Sequence, residues 1–259
     1  MNTGYSGIFS LKNQTVFIIG GQGLLGSEIT KAIASYHAKV IVLDINEKQK
    51  YNFDNVFYKY FDCSILENIE TALKEIIGEF GCPDIFINCS YPQTEDWIDN
   101  SFKDISLKSF KKNIDIHLNS YSWLSRSIAN HMVDFVKEGN IIQLGSIYGL
   151  IGQDLNIYDG TKMKENMSYS IIKGGITNLT RQMASYYGRY GIRINTIAPG
   201  GIADSTQNRR FVEQYNKKVP LGRLGDASEI ASTTLFLASG ASSYITGATV
   251  VVDGGWSII

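Results

Sequence analysis

Tyr169 and Lys173 stand four apart in the run Tyr169-Ser-Ile-Ile-Lys173. On a helix that spacing puts both side chains on one face, one turn from each other. An ammonium beside a phenol favours the phenolate, so Lys173 is expected to draw the Tyr169 pKa down from its ordinary value of about 10. A phenol tuned in this way acts as general acid or base toward a carbonyl or alcohol oxygen. With 15 Tyr in 259 residues, chance supplies roughly one such pair per chain. A second pair is in fact present, Tyr158-Asp-Gly-Thr-Lys162. Backbone chemistry separates the two. Asp159-Gly160 is a turn signal, and Gly is costly inside a helix. After Tyr169, by contrast, Ile172, Ile176, Leu179 and Met183 keep a helical apolar spacing. Tyr169 and Lys173 are therefore the pair expected to share a face.

The elements that must position this pair are legible as short apolar runs. Thr15–Ile19 reads as a buried strand ending in Gly20-Gly-Gln-Gly-Leu-Leu-Gly26, with a helical pattern following through Ile29, Ile33 and Tyr36. Strand, glycine turn, helix is the context of a dinucleotide fingerprint. Gly21-x-Gly23-x-x-Gly26 matches the standard spacing, and Gly20-x-x-Gly23-x-x-Gly26 a variant of it. Such glycines permit a tight turn and a close backbone approach to a pyrophosphate at the helix N-terminus. A second strand, Lys39–Leu43, ends at Asp44, 18 residues after Gly26. An acid there is placed to accept hydrogen bonds from an adenosine ribose diol and to repel a 2′-phosphate. No Arg follows it, and the nearest cations are Lys48 and Lys50. NAD is therefore expected rather than NADP.

Val56–Tyr60 (closed by Asp62), Asp84–Asn88, Asn140–Leu144, Ile192–Ala198 and Ala248–Val252 read as further strands. Helical patterns lie at 65–80, within 102–137 and at 230–237, the last opened by a capping box from Asp226 to Glu229. The polar segment 205–218, with Arg209-Arg210, reads as a mobile lid. Strands alternating with helices predict an α/β fold: one Rossmann-type, doubly wound parallel sheet flanked by helices, in a single domain over residues 1–259. Function should then collect at the C-terminal strand ends, where Gly20, Asp44, Asn88 and Ser146 fall.

Composition excludes several classes. A net charge of −1 with scattered charges offers no basic stripe for nucleic acid. No stretch approaches a membrane span, and the polar run from Met1 to Gln14 lacks an apolar signal core. Cys63, Cys82 and Cys89 have neither disulfide nor metal spacing, which fits a reducing cytoplasm and no metal.

In this order the glycine loop, Asp62, the Asp84–Asn88 strand, Ser146, Tyr169-x-x-x-Lys173, Arg193-Ile-Asn195, Pro199-Gly200 and Asp253-Gly-Gly255 resemble the short-chain dehydrogenase/reductase family over essentially the whole chain. The resemblance implies a nicotinamide cofactor held by Gly20, Gly23, Leu25, Gly26, Asp44, Asp62, Asn88, Pro199, Gly200 and Ile202. It implies that Tyr169 gives or takes the proton, that Lys173 binds the nicotinamide ribose and lowers the Tyr169 pKa, and that Ser146 hydrogen-bonds the substrate oxygen. It also implies a homotetramer or homodimer built on the two long helices, with Tyr121, Trp123, Tyr186 and Tyr187 as candidate contacts.

Three departures stand out. Asn88-Cys-Ser-Tyr91 replaces the family's Asn-Asn-Ala-Gly. His117 takes the place of the helix Asn that holds a water in the family's proton relay; it serves either that relay or the core. Finally, Ser146 to Tyr169 spans 23 positions, where the family has around a dozen, so residues 152–166 form an insertion. Its Ile157-Tyr-Asp-Gly-Thr161, with Ser-Ile-Tyr-Gly149, resembles a bacterial subgroup associated with flagellin modification and surface-sugar synthesis. The expected function is NAD-dependent oxidoreduction of a sugar or sugar phosphate, with Lys162, Lys164, Arg209 and Arg210 available to a phosphate. A 3-oxoacyl reductase and a nucleotide sensor without turnover are the alternatives.

Overall fold

The computed structural model describes residues 7–46, 52–135 and 138–259. Seven strands form one sheet: β1 Thr15–Ile19, β2 Lys39–Asp44, β3 Val56–Tyr60, β4 Ile85–Asn88, β5 Gly139–Leu144, β6 Ile192–Pro199 and β7 Thr249–Val252. Their order is β3-β2-β1-β4-β5-β6-β7, and every pairing is parallel. The order reverses direction between β1 and β4, so a crevice opens there at the C-terminal strand ends.

Alternation along each strand explains why both faces are buried. Val16, Ile18, Val40 and Val42 pack on one side with Ile29, Ile33 and Ile230. Phe17, Ile19, Ile41 and Leu43 pack on the other with Leu73, Leu124 and Ile128. The covering helices are α1 Leu24–Ser35, α2 Ile69–Phe80, α3 Leu107–Asn113, α4 Ser120–Asp134, α5 Met167–Tyr187, α6 Arg209–Asn216 and α7 Ala227–Ala238. At the start of α7, Glu229 Oε2 accepts the Asp226 N–H at 2.8 Å, the reach-back of the expected capping box.

Three expectations are corrected. The long helix within 102–137 starts at Leu107, and a π-helical turn, Ile114–Asn119, interrupts it before α4. Val136 and Lys137, like Lys48 and Lys50, lie outside the described residues. The segment read as a lid carries α6, because Phe211, Tyr215 and Val219 at helical spacing are buried in a small core with Ile157 and Trp256. Of the four candidate subunit contacts, Tyr121 and Tyr187 belong to the core, whereas Trp123 and Tyr186 are exposed. Among the described residues no helix is long and apolar enough to cross a membrane.

The glycine loop is fixed by close backbone packing. Gly20 has φ +71°, and a Cβ on Gly26 would lie 2.1 Å from the Gly20 carbonyl oxygen. Neither backbone can yield, so Gly26→Ala should destabilise the fold by roughly 3 kcal/mol. Gly78, on α2 with no atom near its missing Cβ, is the control: Gly78→Ala should stabilise by about 0.5–1 kcal/mol. Paired thermal melts read both.

Candidate active site

Each strand end delivers a residue to the crevice. After β1, Gly20, Gly23 and the first turn of α1 face it, and Gly23 caps α1 with no side-chain partner. A Cβ on Gly23 would meet only the Gly20 carbonyl at 3.4 Å, ordinary contact. Protein packing thus does not demand Gly at 23, and the space beside it is open. Leu25 points the other way, into the core under α1.

After β2, Asp44 is buried and ties the loop to the strand. Its Oδ2 accepts the Gln22 N–H at 2.9 Å, and its Oδ1 accepts the Asn46 N–H at 3.0 Å. Asp62 accepts the N–H of Ser64 at 2.9 Å and its hydroxyl at 2.7 Å. After β4, Asn88 Oδ1 accepts from Ser90, while its buried Nδ2 has no partner. Gly20, Gly23, Asp44, Asp62, Cys89 and Tyr91 together line a cleft of about 460 Å³. Gly201 and Ile202, beyond β6, line a second hollow with Pro220 and Val252. Pro199 is buried at the end of β6, Gly200 donates to the Val252 carbonyl at 2.9 Å, and Gly201 donates to the Tyr215 hydroxyl at 2.6 Å.

Just beyond the end of β5 stands Ser146, whose Oγ accepts the Tyr148 N–H at 3.1 Å. The turn that follows rests directly on α5: a Cβ on Gly149 would lie 2.6 Å from the Lys173 carbonyl oxygen. Asn166 caps α5, its Oδ1 accepting the Tyr169 N–H at 2.9 Å and its Nδ2 donating to the Trp97 carbonyl at 2.9 Å. These contacts bring the Ser146 hydroxyl to the Tyr169 phenol, where it favours the ionised form. Burial outweighs it and holds the Tyr169 pKa above its ordinary value.

Lys173 does not lower that value, contrary to the expectation from spacing. Its ammonium donates to the Leu144 carbonyl at 2.9 Å and lies 5.7 Å from the Tyr169 ring centroid. Burial pushes Lys173 down to about 7, so near neutral pH it carries only part of its charge. His117 is fully buried, and burial together with Lys173 holds its pKa well below the usual 6.5. The imidazole is therefore neutral. It packs 5.2 Å from the Tyr91 ring and 5.4 Å from the Tyr121 ring, and neither nitrogen makes a well-formed hydrogen bond, though the Pro92 carbonyl favours the protonated ring.

The rings around Tyr169 are missed by motif reading. Tyr91, Trp97 and Tyr148 stand edge-on to it at 6.1, 6.3 and 6.4 Å. Tyr91, where the family has Gly, was the available signal. Tyr158 and Lys162 share no helix: a 3₁₀ turn ends at Tyr158 and Gly160 has φ +69°. Yet tertiary folding brings the Tyr158 hydroxyl back beside that of Tyr148. The cations expected to meet a phosphate are mostly engaged elsewhere. Lys164 pairs with Asp104 at 2.6 Å, Arg209 with Glu213 at 2.9 Å, and Arg210 donates to the Asp159 carbonyl at 2.8 Å; Lys162 is exposed.

A family model described as enoyl-(acyl carrier protein) reductase matches residues 22–257. Post-translational flagellin modification protein A of Campylobacter coli is 32% identical, over 96% of this chain and 100% of that protein. A 3-oxoacyl-(acyl-carrier-protein) reductase of Vibrio cholerae is 30% identical, over 96% of this chain and 100% of that one. A crystal structure of a short-chain dehydrogenase from Leptospira borgpetersenii with bound NAD+ superposes with a TM-score of 0.86 at 32% identity, over 95% of this chain and 93% of that one. Parallel sheet, glycine loop and the Ser146–Tyr169–Lys173 cluster thus meet in a chain that belongs to the short-chain dehydrogenase/reductase family and resembles its flagellin-modification subgroup.

Proposed function

We propose that the protein transfers a hydride between NAD and a secondary alcohol or ketone on a sugar or sugar phosphate, in the synthesis of a flagellin or surface-polysaccharide precursor. The observation that carries the reading is the junction of Ser146, Tyr169 and Lys173 beside a crevice whose glycine loop fits a dinucleotide. The fit rests on this chain's own features: the space left at Gly23, the uncapped start of α1, the carboxylate of Asp44 at the β2 end, and the unpartnered Nδ2 of Asn88. Leu25 and Gly26, in the first turn of α1, would present backbone N–H groups to the pyrophosphate, while Gly20 and Gly23, whose own N–H groups bond the Leu43 and Gly20 carbonyls, would let it approach the backbone closely. Asp44 would accept from the adenosine ribose and Asp62 would sit by the adenine. Asn88, Pro199, Gly200 and Ile202 would border the nicotinamide. When bound, the nicotinamide supplies the hydride donor or acceptor.

In this scheme the chain handles the oxygen and its proton. Ser146 orients the substrate oxygen by hydrogen bonding. Tyr169 gives or takes the proton at that oxygen. Lys173, one turn along α5, holds a ribose hydroxyl and supplies the positive charge that a tyrosinate needs. Because Lys173 is poised near 7, small changes in its surroundings switch that charge. Neutral, buried His117 takes no proton near pH 7; its role is to support the wall behind Tyr91 and Lys173. The single domain works as a cytoplasmic homodimer or homotetramer, to which exposed Trp123 and Tyr186 are suited.

The flagellin-modification relative and the NAD-bound relative support the glycan and NAD parts of the reading. The test is initial-rate NADH formation over sugars and sugar phosphates with NAD and NADP in parallel. NAD should be preferred, and Asp44→Asn should raise the NADP-to-NAD ratio of kcat/KM by roughly tenfold, because a carboxylate no longer faces the 2′-phosphate. A native preference for NADP on acyl thioesters would overturn the proposal in favour of the 3-oxoacyl reductase.

A further inference from the structure

Lys173 is buried, and much of what surrounds its ammonium is aromatic. The nitrogen lies over the rings of Tyr121, Tyr91 and Tyr169, at 5.4, 5.6 and 5.7 Å from the three centroids. Ring faces within about 6 Å attract a cation through the negative side of their quadrupole. One ammonium hydrogen goes to the Leu144 carbonyl at 2.9 Å, and among the described residues no carboxylate pairs with Lys173. Burial opposes the charged form. The three rings and one carbonyl are what favours it.

Several elements hold this cage in shape. Tyr121, on α4, is fully buried, and its hydroxyl donates to the Asn88 and Ser90 carbonyls at 3.0 and 3.1 Å. That ties α4 to the segment carrying Tyr91. His117, on the π-helical turn, is edge-on to Tyr91 at 5.2 Å and lies 5.4 Å from the Tyr121 ring, so it sets the spacing of the two. Trp97 meets Tyr91 edge-on at 5.8 Å. Tyr169 enters from α5, one turn before Lys173. The titratable groups facing Lys173 are uncharged near pH 7. Burial pushes the Cys89 thiol up to about 12 and holds His117 well below 6.5. Desolvation around the phenol oxygens of Tyr91, Tyr121 and Tyr169 holds them above their ordinary 10.

We propose that Tyr91 and Tyr121 are positioning residues whose ring faces keep the Lys173 ammonium charged and in place, ready to support the Tyr169 oxygen as it gains negative charge. This deepens, and rests on, the oxidoreductase reading above. Because Lys173 titrates at about 7, loss of one ring leaves most of it uncharged at neutral pH.

The experiment follows the Lys173 Nζ resonance of the full-length protein, labelled with isotopic lysine nitrogen, against pH and without cofactor. Its loss in Lys173→Met assigns the signal. Tyr91 is the ring to change, because it is half-exposed at the cleft. Tyr91→Leu should lower the midpoint by about one pH unit, and Tyr91→Phe, which keeps the ring face, should leave it within about 0.3 of the wild-type value. A ring that only kept water out would do the opposite: its removal would hydrate the ammonium and raise the midpoint. The alkaline limb of kcat/KM for alcohol oxidation, at saturating NAD, should move with the midpoint, down in Tyr91→Leu and not in Tyr91→Phe. A midpoint unmoved or raised in Tyr91→Leu, or lowered equally in Tyr91→Phe, overturns the cage and leaves the oxidoreductase reading standing. A lowered midpoint with an unmoved alkaline limb overturns its part in catalysis. A lowered midpoint in a protein that oxidises no alcohol removes the oxidoreductase reading, and the catalytic meaning of the cage with it.

Discussion

Tyr169→Phe should lower kcat/KM for alcohol oxidation by roughly 10²–10⁴-fold, the range that positioned general acid–base catalysis contributes. The substitution removes one oxygen. The ring keeps its contacts with Tyr91, Trp97 and Tyr148, and the α5 cap from Asn166 is a backbone contact that it does not touch. Stability and NADH affinity, read by melting and by fluorescence titration, should therefore hold while turnover collapses. The paired variant Tyr158→Phe separates the two Tyr-x-x-x-Lys runs, because its ring stacks on Phe211 while Tyr91, Trp97 and Tyr148 surround Tyr169. Retained turnover in Tyr169→Phe, with loss in Tyr158→Phe, would move the chemistry to the other phenol.

Lys173→Met should stabilise the ligand-free protein while abolishing most of its activity. In the unfolded chain the ammonium titrates at its ordinary 10.5, and in the folded chain at about 7. Between those values the unfolded chain binds more protons, so stability rises with pH across the window. At and below pH 7 the full cost of burying the charge is present. Met matches the stem in length and carries no charge, while the bond to the Leu144 carbonyl is lost at about 1 kcal/mol. The net expectation is a gain of roughly 2–4 kcal/mol at pH 7. It should shrink steadily toward pH 10.5, above which the wild-type lysine is neutral in both states. Denaturant titrations of both proteins at pH 7 and pH 10 read the difference. A gain that does not change with pH would assign the effect to packing and not to charge.

The sheet was legible because its signals are local. Thr15–Ile19 and Lys39–Asp44 are apolar runs punctuated by Gly20 and Asp44, and nothing distant was needed to place them. The site was legible wherever chemistry and strand ends coincide, as at Gly20, Asp44, Asn88 and Ser146. What escaped the sequence depends on three-dimensional surroundings. Spacing puts Lys173 on the Tyr169 face, but whether its ammonium meets the phenol or the Leu144 carbonyl is settled by packing, and so is the dielectric around it. No Gly or Pro in Leu107–Asp134 marks the π-helical turn; it arises where His117 enters the core. Turn chemistry rightly kept Tyr158 off the helix, yet tertiary folding returns its hydroxyl to the site. The segment read as a lid held its own clue, since Phe211, Tyr215 and Val219 repeat every four residues on one face.

The contact between Gly149 and the Lys173 carbonyl has a consequence for descent. Ser146 and Tyr169 meet because the turn after β5 is clasped to α5 by backbone against backbone, and that clasp makes no use of the chain running between them. Residues 152–165 can thus lengthen, shorten or be exchanged among relatives while Asn166 keeps the α5 cap at Tyr169, and lengthening costs little in closure entropy. Lineages that share one hydride-transfer engine are free to diversify at this single cassette. The same joint marks where a designer could graft a foreign recognition loop and keep the chemistry intact.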